Sequence, residues 1–190
     1  MKVRMNDGEQ ALFAKHLGKA RSFVEFGCGG STVFAASHVN GPVISLDSSK
    51  EWIDQVAAAC AKQVGRPQPK LFVVDIGPIG EWGRPVDDRF RERWPLYALT
   101  MWQAKAAADA DLFLIDGRFR VSCFMETLLR CRPEAVVLIH DFPERKSYHV
   151  VREFADEIAS CSALYAFQRR SDFAWRQAVR MIDTKRYEPD

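Results

Sequence analysis

The sequence predicts an α/β protein with a doubly wound, mostly parallel sheet of about seven strands, helices on both faces and an antiparallel terminal hairpin. Short apolar runs recur along the 190 residues, as expected of strands covered on both faces. Stretches of helical period separate them, the pattern of parallel strands joined by crossover helices. Several runs end in a glycine turn or an acidic residue, where such sheets bind ligands. We find no internal repeat or linker and predict one domain over residues 1–190.

The composition is typical of a globular protein and excludes several classes. The apolar share is 47%, the charged share is 27% and the net charge is +2, too small to indicate nucleic-acid binding. No apolar run approaches the roughly 20 residues that span a bilayer, and the first residues lack the apolar core of a signal peptide. The 5 cysteines include no C-x-x-C pair. We therefore expect reduced thiols in a cytoplasmic protein that binds neither nucleic acid nor membrane.

Residues 23–35 combine a buried strand, a glycine turn and the start of a helix. The turn contains Gly27, Gly29 and Gly30. Glycines permit positive φ and leave no Cβ to hold a ligand off the backbone. Ser31 or Thr32 is expected to cap the helix, whose free N–H groups face the turn. The pattern predicts a ligand-binding loop, and the alternative is an ordinary strand–helix turn.

Four further parallel strands are predicted, and polar residues follow them. They lie at residues 43–47, 70–75, 111–116 and 135–140. Asp47 ends the second strand, where a doubly wound sheet places the acid that accepts ribose hydroxyls; the alternative is a cap for the next helix. Asp116 ends the fourth strand, and His140 and Asp141 end the fifth. In a parallel sheet these residues emerge at the same edge as the glycine loop.

The remaining chain is assigned to helices, one long loop and the terminal hairpin. A capping box beginning at Asp7 and amphipathic spacing predict helices over residues 7–18, 96–108 and 147–158. Residues 76–95 have no sustained period, which predicts a functional loop with Trp82 near a cofactor, or else a mobile surface excursion. Two last apolar runs, 163–167 and 178–182, predict the hairpin.

The E-x-G-x-G-G-S-T pattern of residues 25–32 resembles motif I of class I S-adenosylmethionine (SAM) dependent methyltransferases, which have a Rossmann-like fold. The third glycine of a dinucleotide fingerprint is missing, because Thr32 takes its place. Together with the strand-end residues, the resemblance spans about residues 20–160 and implies SAM as the cofactor. The cofactor-binding residues that it implies are Glu25, Gly27, Cys28, Gly29, Gly30, Ser31, Asp47, Asp75, Ile76 and Asp116.

Asp116, His140 and Asp141 look like the strand ends that carry metal-binding aspartates in catechol-type O-methyltransferases. Phe142 stands where that family has an amide ligand, so we predict no metal and keep Asp116 and Asp141 as the metal candidates. Methyl transfer is an in-line displacement, and an oxygen acceptor must also lose a proton. The resemblance therefore implies O-methylation of a small-molecule or saccharide-like acceptor, with Asp116, His140 and Asp141 as catalytic residues. The alternative role for the two aspartates is capping at strand ends.

Basic residues near the same edge suggest an anionic acceptor, although a solvated helix face explains them equally well. They are Arg118, Arg120, Arg145, Lys146, His149 and Arg152. The D-G-R-F sequence at 116–119 departs from the Asn/Asp-Pro-Pro-aromatic motif of amino-methylating enzymes and disfavours N-methylation. Two other functions stay open: a non-catalytic methyltransferase-like domain that binds SAM or a partner, and a nicotinamide-dependent oxidoreductase. The sequence does not predict the oligomeric state.

Overall fold

One seven-stranded sheet organises the fold in the computed structural model, which describes residues 1–189. The strands are β1 (Phe23–Phe26), β2 (Val43–Asp47), β3 (Lys70–Val73), β4 (Leu112–Ile115), β5 (Val136–Ile139), β6 (Ala155–Cys161) and β7 (Leu164–Arg169). The α-helices are α1 (Asp7–Leu17), α2 (Gly30–His38), α3 (Lys50–Ala61), α4 (Leu96–Leu99), α5 (Arg120–Arg130) and α6 (Trp175–Lys185). No helix within residues 1–189 is long and apolar enough to cross a membrane.

The sheet has the strand order β3-β2-β1-β4-β5-β7-β6. Strands β1 to β5 are parallel, whereas β7 runs antiparallel to both β5 and β6. The predicted fold class is confirmed. The strand order reverses between β1 and β4, and a doubly wound sheet opens a crevice outside the carboxyl ends of its strands at such a point.

Two apolar layers cover the sheet because successive strand residues face opposite sides. Val24 and Phe26 pack in the cluster that contains buried residues of α4, α5 and α6. Phe23 packs on the opposite face with Phe13 of α1 and Ala35 of α2. Both faces of the central strands are therefore buried, which explains why their sequences are mostly apolar.

Several predicted elements are wrong in type or place. Residues 96–108 form α4 and then 3-10 turns, because the backbone is extended at Ala104 before the chain returns to β4. The predicted helix over 147–158 is a 3-10 helix, Lys146–Glu153, after which β6 begins. The hairpin is formed by β6 and β7, not by the runs at 163–167 and 178–182. The second run lies in α6, where Ala178 and Ile182, one helical turn apart, are both buried.

Candidate functional site

The glycine loop joins β1 to α2 and is packed against protein on two sides. Gly27 has a φ of +94°, and a Cβ there would clash with the backbone of Gly117. A Cβ at Gly30 would clash with the backbone of Lys2. Gly29 is more open, since its nearest neighbours lie at 3.9 Å, in the Ser31 and Trp52 side chains. Gly27 and Gly30 therefore make room for neighbouring chain, and the predicted ligand contacts of the three glycines remain predictions.

Glu25 lies beneath this loop and is fully buried. Ser31 and Thr32 donate hydrogen bonds to its two carboxyl oxygens, and Ser45 of β2 donates another at 3.0 Å. Burial raises the pKa of Glu25 to about 7, although these three hydrogen bonds oppose the rise. The predicted capping is present in part: Gly29, not Ser31 or Thr32, is the N-cap of α2, but the Thr32 hydroxyl accepts from the Gly29 N–H at 2.9 Å, as the third helical residue does in a capping box.

Cys28 occupies the interior of the loop as a small buried side chain. Burial, together with the nearby carboxyl groups of Asp47 and Glu25, raises the pKa of its thiol well above the usual range. The Trp52 indole N–H donates to the Cys28 carbonyl oxygen at 2.6 Å and fixes the loop against α3. A protonated, buried thiol is a poor nucleophile, so Cys28 shapes the loop.

Asp47 follows the glycine loop around the crevice at the end of β2. Its Oδ1 accepts from the Ser49 N–H at 3.0 Å, and Ser49 in turn caps α3. Burial raises the pKa of Asp47, while backbone N–H groups and then the charge of Arg118 oppose the rise. Gly83 lies close by, because a Cβ there would be 3.1 Å from Ser48 Oγ. Asp47 thus stabilises the turn before α3 and also lies beside the crevice.

Asp75 and Ile76 follow β3 and point in different directions. The Asp75 side chain is 71% exposed and forms an ion pair with Arg93 at 2.7 Å. Ile76 is 1% exposed and packs in the core cluster of Trp94 and Tyr97. Their predicted cofactor contacts remain predictions.

Asp116, His140 and Asp141 come together at the carboxyl ends of β4 and β5. His140 Nδ1 lies 3.5 Å from Asp116 Oδ1 and 3.2 Å from Asp141 Oδ1. Burial alone would lower the pKa of His140, but the hydrogen bonds and charges of the two aspartates raise it to about 10. Hydrogen bonding from His140, followed by the charge of Arg120, holds the pKa of Asp141 well below its usual range. At neutral pH the cluster is an imidazolium between carboxylates.

Two charged residues that the sequence analysis did not assign to this cluster complete it. Arg120, in the first turn of α5, forms ion pairs with Asp116 at 3.2 Å and with Asp141 at 3.0 Å. Glu9 of α1 lies on the other side of the imidazole, with its Oε2 3.5 Å from His140 Nε2. The backbone N–H of Ala163 donates to Glu9 at 2.8 Å. The i,i+4 spacing of Asp116 and Arg120 was an available signal for their pairing, whereas no local pattern indicated the contact of Glu9 with His140.

The burial of Arg118 and Arg120 corrects the interpretation of a basic rim. These side chains were grouped with solvent-facing cations, yet Arg118 is 8% and Arg120 is 3% exposed. The charge of Arg118 acts on the carboxyl group of Asp47. Arg120 forms ion pairs with Asp116 and Asp141. An anionic acceptor would therefore depend on the other basic residues of that group.

The cluster does not fit a divalent metal. One possible ligand atom each from Asp116, His140 and Asp141 lies within 4.8 Å of the others. However, the guanidinium of Arg120 already pairs with both carboxyl groups. Asp116 and Asp141 are thus both paired with a cation from the protein itself.

Two segments lie over the loop and over Asp47. The first residues of the chain pack against Gly30, and Val3 among them is buried. In the segment of residues 76–95, Gly83 packs against Ser48. These segments meet where the Arg4 guanidinium lies 4.5 Å from the centre of the Trp82 ring. Trp82 has a left-handed φ of 61°, which is uncommon for a bulky residue, and its side chain is largely exposed.

Comparison with solved structures agrees with the fold described above. No protein-family model and no curated protein sequence matches the chain. The chain is similar to a methyltransferase-like protein from Silicibacter pomeroyi, with 28% identity, a TM-score of 0.89, and coverage of 99% of this chain and 98% of that one.

Two more distant structures share the fold alone. An O-methyltransferase from Bacillus cereus, in complex with S-adenosylhomocysteine (SAH), has 15% identity and a TM-score of 0.55, over 88% of this chain and 83% of that one. An RNA methyltransferase from Salinibacter ruber, also in complex with SAH, has 8% identity and a TM-score of 0.56, over 90% and 97%. The sheet topology and these likenesses show that the chain has the Rossmann-like fold of class I SAM-dependent methyltransferases.

Proposed function

We propose that the protein is a SAM-dependent methyltransferase that transfers a methyl group to a hydroxyl oxygen of a small-molecule or saccharide-like acceptor. One observation carries the proposal: the glycine loop and the polar cluster share the switch point of the sheet. The Asp116 N–H donates to the Phe26 carbonyl oxygen at 2.9 Å, and Gly117 packs directly on Gly27. A cofactor on the loop would therefore lie beside Asp116.

The residues around the crevice fit an adenosine-type cofactor. Gly29 leaves space on the loop, and Asp47 offers a carboxyl group at the end of β2. Bound SAM supplies an electrophilic methyl group, so the protein has mainly to position the attacking oxygen. The hydroxyl proton becomes more acidic as the new carbon–oxygen bond forms, and a nearby carboxylate is then an adequate acceptor. Asp116 and Asp141, with side chains 25% and 37% exposed, are the groups that would receive it.

Cofactor binding is tested by thermal unfolding with separate ligands. SAH at about 100 times its Kd should stabilise the protein by about 2.7 kcal/mol and raise Tm by about 5–10 °C. NADH should leave Tm unchanged. A shift with NADH and none with SAH would favour the oxidoreductase and overturn the proposal.

Turnover is tested by transfer of a labelled methyl group to a panel of hydroxyl acceptors. Asp141→Asn should abolish transfer and keep SAH binding, while Asp109→Asn, at an exposed aspartate outside the cluster, should change neither. If Asp141→Asn loses SAH binding as well, Asp141 has a structural role. Retained transfer would exclude Asp141 from the chemistry.

A second candidate function has its own supporting observation. His140 holds its proton and Arg120 pairs with both aspartates, so the cluster is stabilised without a reactant. This arrangement also suits a non-catalytic methyltransferase-like domain that binds SAM. A protein that binds SAH and transfers no methyl group to any of the acceptors would favour this alternative.

A further inference from the structure

We propose that the guanidinium of Arg120 permanently fills the cation position between Asp116 and Asp141, so that the site works without a divalent metal and becomes a metal site when Arg120 is removed. This inference goes beyond the proposed function, because it holds whether or not the protein transfers a methyl group.

The first support is the way in which oxygen atoms surround the guanidinium. Nε donates to the Gly117 carbonyl oxygen at 2.9 Å, and Nη1 donates to the His140 carbonyl oxygen at 2.7 Å. Nη2 lies 3.3 Å from the Asp116 carbonyl oxygen. The carboxylates of Asp116 and Asp141 add contacts at 3.2 and 3.0 Å. Five oxygen atoms thus face a group that has five N–H donors.

The second support is the burial of Arg120. Its side chain is 4% exposed and begins in the first turn of α5, directly behind the β4 loop. To let a metal enter, the guanidinium would have to leave two carboxylates and three carbonyl oxygens while remaining inside the protein. A buried charge without its partners is strongly unfavourable, so Arg120 is a fixed part of the site.

The third support is the chemistry of the surrounding groups. Carboxylate and carbonyl oxygens are the ligands that Mg²⁺ and Mn²⁺ prefer. In Arg120→Ala these oxygens would surround the space that the guanidinium fills in the wild-type protein, and the two aspartates would lack the contacts that Arg120 makes with both. The same groups that bind the guanidinium would then be available to a divalent ion.

The test measures Mn²⁺ binding to the unliganded protein from the loss of the free Mn²⁺ signal in electron paramagnetic resonance. We expect no signal loss with the wild-type protein and a stoichiometric loss with Arg120→Ala, reversed when Asp141→Asn is added to that variant. Arg132→Ala is the matched control, because Arg132 pairs with Asp111 at the opposite end of β4. It should behave like the wild type.

Two results would overturn the proposal. The first is Mn²⁺ binding by the wild-type protein that Asp141→Asn removes. The second is a folded Arg120→Ala protein, verified by circular dichroism, that binds no Mn²⁺. If Arg120→Ala does not fold, Arg120→Gln takes its place with the same expectations. SAH binding and turnover do not enter these measurements, so their failure would leave the inference intact.

Discussion

Glu25 gives the protein a pH-dependent stability that Glu25→Gln should remove. The carboxyl group is fully buried in β1, between β2 and β4, and its pKa is raised from 4.5 to about 7, with burial as the largest cause. The folded protein therefore binds this proton more tightly than the unfolded chain does. The resulting stabilisation is complete below pH 4.5 and is lost as the pH rises through about 7.

The size of the effect follows from the two pKa values. A difference from 4.5 to about 7 corresponds to roughly 3 kcal/mol, because each tenfold change in proton affinity is worth about 1.4 kcal/mol. Hydrogen bonds from Ser31, Thr32 and Ser45 already oppose the shift, so their contribution is contained in this figure. A loss of that size is a substantial part of the stability of a typical domain.

The assay is urea unfolding between pH 4.5 and 8 of the wild type, Glu25→Gln and the control Glu153→Gln, which changes an exposed glutamate. The glutamine amide changes the unfolding free energy by a constant amount at every pH. Only the pH dependence of the difference in unfolding free energy between wild type and Glu25→Gln is therefore informative. Relative to Glu25→Gln, the wild type should lose about 3 kcal/mol across this range, and the control should run parallel to the wild type. Parallel wild-type and Glu25→Gln profiles would refute the reasoning about a buried, titrating Glu25.

Three further predictions follow from single contacts. His140→Gln should destabilise the protein at pH 7. Because the pKa of His140 is raised from 6.5 to about 10, its protonation stabilises the folded state fully below pH 6.5, and this stabilisation is lost as the pH rises through about 10. In urea unfolding, the difference in unfolding free energy between wild type and variant should therefore shrink towards pH 10, and a constant difference would contradict this. The contact of Arg4 with Trp82 joins the two segments that lie over the glycine loop and Asp47, and an exposed cation–π contact contributes about 0.5–1 kcal/mol. Arg4→Ala and Trp82→Ala should therefore each speed SAH dissociation about 2–5-fold in stopped-flow measurements. Unchanged rates would show that this contact does not retain the cofactor. Gly117→Ala should cost about 1–3 kcal/mol in thermal unfolding, because a Cβ there would meet Tyr97 and Gly27, whereas Gly80→Ala, with nothing closer than 3.8 Å, should be tolerated.

The parallel half of the sheet could be predicted from the sequence because its strands are buried on both faces. β4 and β5 are wholly apolar in sequence, β1 and β2 are mostly so, and all four are nearly fully buried in the structure. The carboxyl ends of parallel strands share an edge, so Asp47, Asp116 and Asp141 were predicted near the glycine loop without any knowledge of side-chain contacts.

The edge of the sheet could not be predicted in the same way. β6 is a largely exposed edge strand with acidic residues at Asp156 and Glu157, and its apolar residues do not alternate cleanly because of a register shift between Glu157 and Ala159. Such a segment has little burial to impose a period of two, and its sequence was consistent with the end of a helix. Pairing with β7 decides its conformation, which is information from outside the segment.

Within the site, the sequence predicted which residues meet but not how their charges are balanced. Arg120 was grouped with solvent-facing cations, although it is enclosed by strand-end oxygens. The predicted capping box began at Asp7, whereas in the structure Asn6 is the cap and Glu9 is its partner three residues later. The additional contact of Glu9 with His140 joins residues more than a hundred positions apart, and no local pattern indicates it.

The charge balance of the completed cluster bears on the choice of acceptor. Three carboxyl groups, from Glu9, Asp116 and Asp141, surround one guanidinium and one imidazolium. An anion that approached the partly exposed aspartates would meet like charge, with Arg120 enclosed behind them. A neutral hydroxyl would instead donate to a carboxylate that is already ionised and held in place. We therefore expect the protein, tested on a panel of acceptors, to methylate neutral polyols faster than their carboxylated counterparts. Faster methylation of the carboxylated acceptors would contradict this, and if Arg145→Ala removed that preference, Arg145 would be the residue that contacts the anion.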